Sequence, residues 1–369
     1  MSAAPLAPWL VAQREALLAQ RGHAWLLHGP SGLGQYRLGL EMVRAWLCES
    51  APTLPAARGS LPPEGALAAL GRPGGGSEAP IDLGACGQCA SCHAIDVHAH
   101  ADLCVLMPEV DMLALGWPLP EKAQAEIDDK ARKPSREIRV EAMRAAVEFS
   151  QRTSARGRGK AVLVFPAEQM NTITANALLK TLEEPPGDVR FVLASEAAHQ
   201  LLPTIRSRCL GHTMVWPAQA QMLEWLAGQG VAAAAAESFL RATGGRPDDA
   251  LALARSGPGP EAWAQFPKAV QRGSPGALAD WAPPQAVEAL QKLCHDLLAL
   301  RVGAAPRYFA AADLPSPPSI GALTRWSRAL MQEARTAEHP FNAGLMLEAL
   351  VAQARNVLHS PPTTPSART

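Results

Sequence analysis

Apolar positions along this chain recur with two periods, and the switches between them mark its elements. The run Asn-Ala-Leu-Leu-Lys-Thr-Leu-Glu-Glu-Pro-Pro-Gly beginning at Asn176 sets Ala175, Leu178, Leu179 and Leu182 at i, i+3, i+4 and i+7, one apolar helix face. Pro185 and Pro186 stop that helix, since neither can donate to its hydrogen-bond ladder. Residues 189–194 are a short apolar run rich in strand formers, which predicts a buried strand ending at the polar Ser195. A basic turn, Arg206-Ser207-Arg208-Cys209, follows. Nearer the start, residues 9–20 predict an amphipathic helix and 24–27 a strand. Leu38, Met42, Ala45 and Trp46 face a second helix closed by Cys48, and 161–165 predict another buried strand. Beyond Cys209 the pattern is helical. Residues 217–256 read as two or three short helices and 260–285 as a Pro/Gly-rich linker. Three amphipathic helices then carry Val287, Leu290, Cys294, Leu297 and Leu298; Leu323, Trp326 and Leu330; and residues 345–351.

Between the first strand and second helix lies Gly29-Pro-Ser-Gly32-Leu-Gly34-Gln35-Tyr36, the frame of a P-loop, whose glycines let backbone N–H groups cradle phosphate. Two chemical positions depart from that frame. Gln35 stands where the phosphate-binding lysine belongs, and Tyr36 where a hydroxyl would hold Mg²⁺. Residues 50–84, dense in Pro, Gly and Ala, read as a mobile surface loop. After them comes Cys86-x-x-Cys89-x-x-Cys92, a spacing that lets thiolates converge on one tetrahedral Zn²⁺. Cys48 is the candidate fourth ligand, with His93, His98 and His100 as competitors. Residues 130–160 hold ten Lys/Arg against three Glu, a solvated face or a phosphate-contacting surface.

Composition sets bounds on these readings. With 369 residues, two or three domains are expected, and 48% hydrophobic residues suffice to bury a core. Formal charge is zero, 34 basic against 34 acidic, so overall electrostatics do not mark a nucleic-acid binder. No signal-peptide pattern and no long apolar run is evident, which predicts a cytoplasmic protein without membrane contact. Seven cysteines with this spacing favour metal over disulfides.

The stretch from Asn176 to Cys209 closely resembles the same block in bacterial clamp-loader subunits of the AAA+ family. That resemblance implies an α/β AAA+-like P-loop core, a parallel sheet with flanking helices, followed by a small helical lid and an all-α collar. The implied boundaries are 1–212 for the core, 213–257 for the lid, 258–356 for the collar, and a disordered tail at 357–369. Clamp-loader subunits carry a similar four-cysteine knuckle, which implies Cys48, Cys86, Cys89 and Cys92 as ligands of a structural Zn²⁺. In nucleotide-hydrolysing members the strand at 161–165 ends in Asp-Glu, where this chain has Phe165 and Pro166. Glu168, two residues further, reads as a capping or surface group. The lid of active members places a phosphate-sensing arginine where this chain has Asp248, and Arg246 reads as lying before the helix. Lysine, hydroxyl, acidic pair and lid arginine are thus all replaced. What remains is Ser207-Arg208-Cys209, the motif whose arginine reaches a neighbouring subunit's ATP. The expectation is a non-hydrolysing subunit that acts in trans. Its implied partners are the clamp-loader ATPase (gamma/tau) and delta subunits in a hetero-pentamer, with the sliding clamp and primer-template DNA met through the complex. The alternatives are an active gamma/tau-like ATPase and a zinc-dependent nucleic-acid-binding protein.

Overall fold

The computed structural model describes residues 6–50, 84–278, 281–337, 339 and 342–360. The loop expected over 50–84 lies almost wholly outside the described residues, as do residues 361–369 of the tail expected at 357–369. The chain divides into two compact units, residues 1–221 and 222–369.

The first unit is built on five strands: β1 (Ala24–His28), β2 (Leu103–Leu106), β3 (Lys160–Val164), β4 (Val189–Ser195) and β5 (Leu210–Thr213). Their order is β2-β3-β4-β1-β5 and every pairing is parallel. Parallel sheets are covered on both faces, so their inner strands read as continuous apolar runs rather than alternating ones. That is why β1, β3 and β4 were legible. β2 (Leu-Cys-Val-Leu) and β5 (Leu-Gly-His-Thr) are four-residue edge strands; β2 is apolar but very short, β5 carries no apolar run, and neither was predicted.

Helix α1 (Pro8–Leu18) precedes β1, and α2 (Gln35–Leu47) leaves the glycine loop that follows it. α2 lies close on the sheet at Gly39, where a Cβ would come within 2.9 Å of Leu163 Cδ1 and 3.0 Å of Val192 Cγ1. α3 (Ala90–Asp96), α4 (Glu109–Ala114), α5 (Glu121–Asp128) and α6 (Val140–Gln151) fill the span to β3. α7 (Thr172–Glu183) is the helix expected before the double proline, capped by Asn171 accepting from the Thr174 N–H at 3.0 Å. Its Leu178 and Leu182 pack with Met143, Val162, Phe191 and Leu193 in one buried cluster. Burial of each such side chain stabilises by about 1.5–3 kcal/mol. Ile138 is extended, bridged to Met170 with its N–H on the Gln169 carbonyl. The helix begins two positions later, at Val140.

After β4 come the single turn α8 (Pro203–Arg206), β5 and α9 (Gln219–Gly228). The second unit is helical. α10 (Ala233–Ala242) and α11 (Pro247–Ser256) share a small core of Leu226, Ala236, Phe239, Leu240 and Ala250. The span expected as linker is largely a helix, α12 (Pro260–Arg272), burying Trp263, Phe266 and Val270 despite Pro267 inside it. Its proline and glycine content obscured an apolar face at i, i+3 and i+7. α13 (Pro283–Arg301), α14 (Ile320–Thr336) and α15 (Ala343–Leu358) complete the larger core with Leu290, Leu297, Trp326, Leu330 and Leu350. α15 runs to Leu358, so a tail starting at 357 begins too early. Among the described residues no helix is long and apolar enough to cross a membrane.

Candidate functional site

The glycine loop sits at the carboxyl end of β1, where open parallel sheets place their ligands. Gly34 takes φ +89° at the start of α2, a left-handed turn open to glycine, and its carbonyl accepts the Leu38 N–H at 2.8 Å. Gln35, only 2% exposed, turns back into the loop. Its Nε2 donates to the carbonyls of Gly29 (2.9 Å) and Pro30 (2.7 Å), which uses both amide hydrogens. Tyr36 packs its ring 5.3 Å from that of Phe165, and its hydroxyl accepts from Trp117 Nε1 at 2.7 Å. The side chain replacing the Mg²⁺-binding hydroxyl thus meets the one replacing the first acidic residue. Burial pushes the Tyr36 phenol above its ordinary pKa, against the lowering effect of the Trp117 hydrogen bond. His98 stacks on Trp117 at 3.9 Å and bonds the Gly116 carbonyl through Nδ1 at 2.8 Å, extending the aromatic packing. Trp117 was not singled out from sequence, because nothing local ties it to Tyr36. Glu168 is occupied as a cap, accepting the Glu196 N–H at 3.0 and 3.3 Å. Buried Ser195 accepts the Ala197 N–H through its hydroxyl at 3.2 Å. Gln35, Tyr36, Phe165 and Pro166 do not fit Mg·ATP: at their positions they bring no cation, no aliphatic hydroxyl and no carboxylate pair. In the helical unit, Asp248 lies in the first turn of α11 and Arg246 sits one residue before it, paired with Asp249 at 3.0 Å.

The cysteines come together. The sulfurs of Cys48, Cys86, Cys89 and Cys92 all lie within 4.8 Å of one another, and Cys48 and Cys89 stand 3.9 Å apart. Zn–S bonds of about 2.3 Å in a tetrahedron require sulfurs roughly 3.8 Å apart, so the cluster can hold such an ion. Cys48 arrives from the C-terminal end of α2, and Cys89 caps α3 by accepting the Cys92 N–H at 3.4 Å. The Cys86 thiol is lowered to about 6 by the N–H groups of Gln88 and Cys89 donating to it, while burial pushes Cys92 up. Two of the three rival histidines are engaged elsewhere: His98 stacks on Trp117, and His100 Nδ1 accepts the Asp102 N–H at 3.0 Å. Around the cluster, Arg44 pairs with Asp96, and Glu49 accepts from Ser91 Oγ at 2.8 Å and Arg156 at 2.9 Å.

The basic turn follows α8. Ser207 Oγ donates to the Thr204 carbonyl at 3.2 Å. Arg208 donates through Nη1 to that same carbonyl at 2.8 Å, and through Nε at 2.7 Å and Nη2 to Glu183 Oε1. Glu183, the last residue of α7, is a partner that sequence reading overlooked. In the 130–160 stretch several cations are paired internally. Arg132 bonds Glu109 and Glu126, and Lys160 meets the fully buried Asp102 at 3.3 Å. Asp102 also accepts the N–H groups of Ala155 (2.7 Å) and Arg156 (2.8 Å).

A family model described as "DNA polymerase III, delta subunit" matches residues 76–214. The DNA polymerase III subunit delta' of Pseudomonas aeruginosa is 35% identical over 248 residues, 66% of this chain and 60% of that protein. The Escherichia coli subunit delta' is 29% identical over 252 residues, 67% of this chain and 60% of that one. The Escherichia coli subunit tau is 31% identical over 188 residues, 51% of this chain and 21% of tau. The aligned region thus spans about 60% of the length of the delta' relatives. By these matches the chain is similar to the DNA polymerase III delta' subunits over about two thirds of its length, and the family model falls on residues 76–214.

Proposed function

We propose that this chain serves as the delta' subunit of a DNA polymerase III clamp loader. In this reading it is a non-hydrolysing member of the ATP-driven hetero-pentamer with gamma/tau and delta subunits. That complex opens the sliding clamp and sets it on primer-template DNA in the cytoplasm. Residues 1–212 act as the AAA+-like core, 213–257 as the lid, and 258–356 as the collar through which subunits associate. Arg208 is the trans arginine finger, offered with Ser207 to a neighbour's ATP. The observation that carries the reading is the contrast between two loops. The chain's own glycine loop is occupied by Gln35 and Tyr36, whereas Arg208 lies partly exposed at a turn. A guanidinium is permanently charged and forked, matched to phosphate oxygens. Such a group neutralises charge developing on a transferred phosphoryl. Cys48, Cys86, Cys89 and Cys92 would hold one Zn²⁺; four thiolates leave no open position for water, so the ion supplies a structural cross-link.

The test is to reconstitute the complex with Arg208→Ala. Assembly should be normal, while DNA-stimulated ATPase and clamp loading fall by about tenfold or more. Arg208→Lys should rescue poorly, because an ammonium lacks the fork. Clamp loading at the wild-type rate would sink the trans-acting role.

A further inference from the structure

The contacts of Arg208 carry an inference that rests on the finger reading above and deepens it. A guanidinium has five N–H donors. Glu183 Oε1 takes one from Nε and one from Nη2, the side-on edge of the group. The Thr204 carbonyl takes one from Nη1. Two N–H bonds are left over, one on each terminal nitrogen. Donors on the two terminal nitrogens can meet oxygens of a phosphate. The side chain stays 30% exposed. We infer that Glu183, together with the Thr204 carbonyl, positions Arg208 for a phosphate of the neighbouring subunit.

The placement of Glu183 argues against its serving the helix. It ends α7, and a carboxylate at a helix C-terminus opposes the helix dipole. It is also 48% exposed, so it fills no core. Its visible work is the grip on Arg208. A long side chain held at two edges loses less freedom on meeting its target, and pre-orientation of this kind acts on rate rather than on affinity for nucleotide.

The experiment uses the reconstituted clamp loader with sliding clamp and primed DNA, measuring kcat and KM for ATP. Glu183→Ala should lower kcat by about three- to tenfold and leave KM within about twofold. Glu183→Gln should recover most of the loss, since its amide oxygen can still accept from the side-on edge. Added to Arg208→Ala, Glu183→Ala should cause no further fall. Wild-type kcat in Glu183→Ala overturns the inference. So does a raised kcat, which would make Glu183 a restraint on the finger, and so does an equal fall in the Arg208→Ala background, which would mark a general structural role. If Arg208→Ala itself runs at the wild-type rate, the finger reading has failed, and that result is told apart by the single variant alone.

Discussion

Gln35 and Tyr36 bring no cation and no aliphatic hydroxyl to the glycine loop, and each is engaged by neighbouring groups. The amide of Gln35 is committed to two loop carbonyls, and the phenol of Tyr36 to Trp117 and Phe165. The isolated protein should therefore release no phosphate from ATP above background. Gln35→Lys should remain inactive, because Phe165 and Pro166 still supply no carboxylate; turnover in that variant would refute the closed-site reading. These positions were legible in the sequence because the P-loop has fixed spacing. Glu183 and Trp117 were not, since their partners lie 25 and 81 residues away and only folding sets them together. Asp102 was invisible for the same reason. Burial alone would raise its pKa, but the N–H groups of Ala155 and Arg156, the Ser154 hydroxyl and Lys160 outweigh that and hold it low. Its contribution to stability is thus complete above the unfolded value of about 4 and is lost as pH falls through the lower folded value. Asp102→Asn should cost about 3–5 kcal/mol in urea unfolding at neutral pH, since it strands the buried Lys160. A loss below 1 kcal/mol would show that the cluster relaxes without its charge.

At the scale of elements, the cysteine cluster fastens the end of α2 to the start of α3. The pair Arg44 and Asp96, and the Glu49 bonds to Ser91, brace the same junction. One metal ion should bind per chain. Chelation should lower the melting temperature of the protein, because the ion's binding free energy is coupled to folding. Cys48→Ala, Cys86→Ala, Cys89→Ala and Cys92→Ala should each reduce metal content measured by elemental analysis. Changes at Cys104, Cys209 or Cys294 should leave it; burial pushes those three thiols up, and they lie outside the cluster. Full occupancy in Cys48→Ala would return the fourth position to a histidine. The three closely spaced cysteines announced the site, and Cys48 could be added only because a helix end pointed to it. Helices and inner strands were legible where an apolar period ran unbroken. The edge strands β2 and β5 were too short to read, and α12 was obscured because Pro267 and flanking glycines resemble a linker.

Across the whole molecule, each unit contains a buried carboxylate that gathers a loop. Asp102 does this for residues 154–156, and Asp296 accepts the N–H groups of Arg307, Tyr308 and Phe309 at 2.7–2.9 Å. Phe309 belongs to the helical core, stacked 4.7 Å from Trp263, so its loop is part of the packing rather than a surface turn. Asp296→Ala should destabilise the helical unit by about 2–4 kcal/mol, leaving three N–H groups, that of Phe309 buried, short of a partner. Hydrogen exchange should show the loss at 307–309 and in α12 first; unchanged protection there would remove Asp296 from that role.

The hydrogen bonds within the glycine loop also bear on how the protein responds to the metabolic state of the cell. A nucleotide-binding subunit gains stability by mass action, about 2.7 kcal/mol when ligand stands a hundredfold above Kd. Here the amide of Gln35, which stands in the loop in place of a cation, is committed to the carbonyls of Gly29 and Pro30. Its melting temperature should stay level as Mg·ATP is raised, while that of a nucleotide-binding partner climbs. The persistence of this subunit would then be uncoupled from the energy charge of the cell.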